Sequence, residues 1–101
     1  MPLTHTLTLG RARSHLAALA DGAATIEASI GYDQVLLEID AIHGDNVPAI
    51  RPVRERDRQV LFTVAESAIE DLAGHGIDAL TVELVLDMLH AARDLDEPDE
   101  P

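Results

Sequence analysis

Apolar positions recur at helical spacing most clearly between Gln59 and Leu95. Val60, Leu61, Phe62, Val64, Ala65, Ala68, Ile69, Leu72 and Ala73 follow steps of three and four, and so do Leu80, Leu84, Val85, Met88, Ala91, Ala92 and Leu95. The two runs are interrupted only at Ala73-Gly74-His75-Gly76, so the pattern predicts an antiparallel pair of helices. Asp78 is placed to cap the second helix, with Ile77 and Val82 as its hydrophobic staple.

Upstream the pattern changes. Leu3, Leu7 and Leu9 alternate with threonines, the period of a short extended segment with one buried face, on which His5 reads as a half-buried structural histidine. Leu16, Leu19, Ala23, Ile26 and Ile30 predict a helix over 11–30, with Thr8 or Ser14 as cap and Gly22 as a tolerated interruption. Ala24, Ile26, Ala28 and Ile30 also alternate with Thr25, Glu27 and Ser29, so a strand over 24–30 is an open alternative. The alanine content favours helix. Gly31-Tyr32-Asp33 separates this stretch from the next, where Asp33 is the expected cap, Tyr32 and Leu37 the staple, and Val35, Leu36, Ile39 and Ile42 the apolar stripe. Gly44-Asp45-Asn46 closes that helix, and Pro48 and Pro52 make 47–52 an extended connector.

These elements predict a mainly α fold, a small bundle of about four helices with a short N-terminal extended segment. The alternative is an α+β fold with a small N-terminal sheet. Residues 1–95 form a single domain in this reading, and 96–101 an acidic, proline-broken disordered tail.

Thr6-Leu7-Thr8-Leu9 followed by Arg11-Ala12-Arg13-Ser14-His15-Leu16-Ala17-Ala18-Leu19 resembles the strand-then-helix opening of prevent-host-death type antitoxins. The resemblance covers residues 6–19 and implies a basic and hydrophobic hairpin next. The chain instead continues with Ala23 to Asp33, so the family is not adopted.

Composition narrows the chemistry. Hydrophobic residues make up 47% of the 101 residues and aromatic ones 2%, so the core must be built from Leu, Ile, Val and Ala, which suits helices. Without cysteine there are no disulfides, thiolate metal sites or cysteine nucleophile. No apolar run is long enough to span a membrane and the opening residues lack a basic signal, which makes a cytoplasmic protein the expectation. The formal net charge is -12, every basic residue is arginine or histidine, and the acid is concentrated from Gln59 onward. Such a surface repels phosphate, so direct nucleic-acid binding is not expected.

The last helix is the candidate for function. Glu83, Asp87, His90 and Asp94 share a narrow polar face, Leu80, Leu84, Met88, Ala91 and Leu95 point one way into the expected core, and Val82, Leu86 and Leu89 widen the apolar arc beyond what one layer would cover. Val82, Leu86 and Leu89, with Glu83 and Asp87 steering, are therefore the predicted partner-binding residues of a non-catalytic interaction or regulatory module, a homodimer in this reading. The rival functions are an acidic nucleic-acid mimic or antitoxin-like inhibitor of a basic partner, and a small metal-binding helical protein.

Arg51, Arg54 and Arg58 are candidate anion ligands, with Arg54 and Arg58 spaced to grip a carboxylate or phosphate; internal charge balance is the competing account. Asp40-x-x-His43 and Asp87-x-x-His90, with Glu66 and Glu70, have the spacing used by two-metal helical bundles, but they lie beside the apolar stripes and read as solvated faces. Leu72 through Val82 has the form of a helix-turn-helix whose second helix would present Glu83 and Asp87 to the groove, which argues against DNA reading. Ser14 beside His15 carries no nucleophile-elbow signal. No cofactor or metal ligand set is predicted.

Overall fold

The computed structural model describes residues 2–44 and 46–96, and they form four helices: α1 (Leu3–Asp21), α2 (Ile26–His43), α3 (Arg58–Leu72) and α4 (Ala79–Asp96), with a single 3-10 turn (Ala73–His75) after α3. No strand occurs among the described residues, so the fold is an all-α bundle and the N-terminal sheet is not supported. The predicted tail from Glu97 onward lies outside the described residues. Asp96 does not belong to it, since that residue ends α4.

Two predicted boundaries move. The opening segment is helical from Leu3 because the buried stripe Leu9, Ala12, Leu16 and Leu19 continues back through His5 and Thr8 at helical spacing. Polar members disguised that stripe as an alternation, while Leu3 and Leu7, its apparent apolar face, are exposed. The second helix begins at Thr25, whose hydroxyl accepts from the Ala28 amide at 3.0 Å, rather than at Asp33. Gly31, read as a break, sits inside α2 because α4 crosses there: a Cβ at Gly31 would lie 2.9 Å from the Ala92 Cβ. Other signals hold. Asp78 accepts from the Thr81 amide at 3.3 Å, and Gly44 and Gly76 take positive φ at helix ends. Asp57, which no sequence signal singled out, caps α3.

The order of contacts fixes the topology. α1 packs on α2 and α3, and α4 packs on α2 and α3. The start of α1, the end of α2 and the turn after α3 meet through His5, His43 and His75. At the other end, Asp96 of α4 reaches Ala24, Tyr32 and Arg58, so the start of α2 and the start of α3 lie there. All four neighbouring pairs therefore run antiparallel, and the connector between α2 and α3 travels the length of the bundle. It lies along α1, where Arg51 donates its amide to Ser14 Oγ and Pro48 packs on Gly10.

The core is aliphatic, with Leu9, Leu16, Leu19, Val35, Ile39, Ile69 and Leu89 sealed from solvent, and Tyr32 and Phe62 as its two aromatic members. Arg13 is the one cation drawn deep into it. Its Nε and Nη2 donate to both oxygens of Asp40 at 2.8 and 3.0 Å, and Nη1 donates to Pro48 O, so one guanidinium ties α1, α2 and the connector together. No helix among the described residues is long and apolar enough to cross a membrane.

Candidate functional site

Each sequence-predicted contact residue has a definite place. Val82 and Leu89 are buried in the chain's own core and Leu86 packs against it half-buried. The flank predicted to face a partner is thus inside, because α2 lies on one side of α4 and α3 on the other. The surplus of apolar circumference on α4 exists, but on the opposite arc. Leu80, Leu84 and Leu95, assigned from sequence to the core, are 74%, 56% and 49% exposed, with Ala91 exposed and Met88 half-buried among them. Glu83 and Asp87 are exposed beside this arc.

A second stripe accompanies it on α2. Ile26, Ile30 and Leu37 are 76%, 51% and 66% exposed and, at roughly 100° per residue, fall within about 40° of one another, opposite the buried Ala28, Tyr32, Val35 and Ile39. Ile26 and Ile30 were expected in the core of a longer helix; ending that helix at Gly31 separated them from Leu37 and hid the stripe. Because α2 and α4 are antiparallel neighbours, crossing at Gly31 and Ala92, the two stripes border one outer face of the bundle. Six large aliphatic side chains on two adjacent helices exceed the scattered exposed leucines of an ordinary surface.

Acid dominates the charge on these helices. Asp40 and Asp96 are held by Arg13 and Arg58. Glu27, Asp33, Glu38, Glu83, Asp87 and Asp94 enter no ion pair among the described residues. The only arginine on either helix, Arg93, lies with its guanidinium carbon 4.4 Å from the centre of the Phe62 ring, on the α3 side.

The predicted arginine group is dispersed. Arg58 is the organising cation at one end of the bundle: its Nε and Nη2 donate to Asp96 Oδ2 at 3.0 and 2.8 Å, and Nη2 also donates to Leu19 O. Tyr32 OH donates to the same carboxylate oxygen at 3.2 Å, and the Ala24 amide donates to Asp96 Oδ1 at 2.7 Å. Burial and the Asp96 charge push the Tyr32 phenol up to about 12. Arg58 therefore balances charge inside the domain, and it lines a cleft of about 440 Å³ together with Tyr32, Phe62, Glu66, Arg93 and Asp96. Arg51 and Arg54 are exposed in the connector, where no helical turn brings Arg54 to Arg58.

The metal-spaced pairs are separated in the same way. Asp40 holds Arg13, His43 contacts His5, His90 Nε2 lies 2.6 Å from Glu66 Oε2, and Asp87 and Glu70 are exposed. Among the described residues no group of three or more carboxylates or histidines is arranged to hold a metal ion. Ser14 Oγ accepts from Arg51 and His15 Nδ1 lies 2.7 Å from Arg11 O, so the two side chains form no dyad.

No family model matches the chain, and no curated protein or solved structure matches it either.

Proposed function

We propose that the protein is a non-catalytic binding module whose α2–α4 face seats an amphipathic helix of another protein, one that flanks its apolar stripe with arginine or lysine. The observation that carries this reading is the pairing of Ile26, Ile30 and Leu37 with Leu80, Leu84 and Leu95 on adjacent helices that carry six carboxylates without an ion pair among the described residues. Burying such side chains supplies affinity, at about 1.5–3 kcal/mol for each one fully covered. The carboxylates supply selection and speed of encounter, and they disfavour a second copy of this acidic chain on the same face. This replaces self-association through Val82, Leu86 and Leu89, which are not on the surface in the way that reading required.

The reading is tested by calorimetric titration of the purified chain with a synthetic amphipathic helix of about 16 residues, the length of the α4 stripe from Leu80 to Leu95. Its leucines occupy one face and arginines flank them; a control peptide carries glutamates at the flanks. The arginine peptide should bind, the glutamate peptide should not, and Leu37→Asp combined with Leu84→Asp should weaken binding by a hundredfold or more while leaving the helical circular dichroism intact. Equal binding by both peptides, or arginine-peptide binding that the double variant does not change, would remove this face from consideration. Binding that persists in high salt marks the apolar mode, whereas complete loss marks charge mimicry of nucleic acid. Concentration-dependent dimers by light scattering, split by the double variant, would assign the face to a second copy instead.

A further inference from the structure

Three of the five histidines in the chain meet at one end of the bundle, away from the α2–α4 face. His5 comes from the first turn of α1 and is buried, His43 is the last residue of α2, and His75 is the last residue of the 3-10 turn between α3 and α4. His5 Nε2 and His43 Nε2 are 3.0 Å apart, with the rings edge to face. His75 stacks on His5 with ring centres 5.0 Å apart and planes within 7°, and its Nε2 lies 3.4 Å from the Thr8 hydroxyl. Three elements distant in sequence are thus closed over one another by imidazoles.

Proton placement follows from the partners. His43 Nδ1 lies 2.8 Å from the Ile39 carbonyl, which can only accept, so Nδ1 carries a proton and neutral His43 offers a bare Nε2. His5 Nε2–H then donates to it. One added proton can sit on His5 Nδ1 without disturbing this bond. A second, on His43 Nε2, would set two N–H groups against each other at 3.0 Å, and a proton on His75 would stack one cation on another.

We propose that His5, His43 and His75 form an acid-sensitive latch, which holds this end of the bundle closed while the cluster carries at most one proton and frees the first turns of α1 when it takes more. The titratable groups among the described residues that act on His5 are His43 of α2 and His75 of the turn, both positive when protonated; Asp40, one turn before His43, is committed to Arg13. Burial, then His43 and His75, depress His5 below the usual imidazole value. The sign is therefore fixed: the unfolded chain takes its protons first, and the stability present above pH about 6.5 is lost as pH falls through the depressed folded value. Each proton added to a chain of charge -12 lowers its net repulsion, which works against opening, so loss of structure at this end cannot be assigned to general charge.

The test is NMR on the intact chain between pH 7.5 and 5. Imidazole signals report protonation, and amide exchange protection factors report opening. The latch predicts that protection over residues 5–9 falls about tenfold or more, while residues 85–92 in mid-α4 hold. His43→Gln and His75→Gln, each with one proton site fewer, should lessen that fall. Imidazole signals of all three residues at their charged limit, with residues 5–9 still protected, would overturn the proposal whether or not the variants fold.

Discussion

Tyr32 shows how much of this fold is settled by single polar groups at its ends. Its hydroxyl, Arg58 and the Ala24 amide converge on the Asp96 carboxylate, which joins the starts of α2 and α3 to the end of α4. As the only tyrosine, in a chain without tryptophan, it reports on that junction cleanly. Its phenol is raised from 10.0 to about 12, so the folded state favours the neutral form. The stability this contributes is complete below pH 10 and is lost as pH rises through about 12. Ultraviolet titration of the native protein should give a phenolate midpoint near 12, moving back toward 10 in Asp96→Asn; a midpoint of 10 in the wild type would mean the junction is open in solution. None of these partners was legible in the sequence, because Arg58 and Asp96 are 38 positions apart and only the bundle topology brings them together.

At the scale of elements, Gly31 is the instructive residue. A glycine inside α2 costs about 1 kcal/mol of helix propensity relative to alanine, yet Ala92 of α4 fills the space that a side chain would need. Gly31→Val should therefore destabilise by about 1–3 kcal/mol through overpacking, read as a lower denaturation midpoint with unchanged slope. An unchanged midpoint would mean the helices do not approach so closely.

The same glycine explains where the sequence reading went astray. Glycine next to Tyr32-Asp33 looks like a helix stop followed by a cap, and nothing local says that a neighbouring helix requires it. The hairpin of α3 and α4 was legible because its stripes are long, its turn is glycine-rich and Asp78 caps it. The opening helix was not, because His5 and Thr8 occupy two positions of its buried face. On α4 the excess of apolar circumference was visible in the spacing alone, but which arc faces inward depends on where α2 and α3 lie, and that is tertiary information.

For the whole molecule, the picture is a four-helix bundle with a polar cluster at each end and two exposed apolar stripes on α2 and α4. Its internal charges are matched, Arg13 with Asp40 and Arg58 with Asp96, while six carboxylates on α2 and α4 enter no ion pair among the described residues. Apolar side chains are exposed at helical spacing on both helices, and it is there that the proposal seats a partner helix. The most direct test is amide chemical-shift mapping of the isotopically labelled chain with the arginine-flanked amphipathic peptide. The account predicts that the perturbed amides cluster in residues 26–41 and 80–95. Perturbations gathered on the Arg51–Arg56 connector, or on the outer side of α1 and α3, would contradict it.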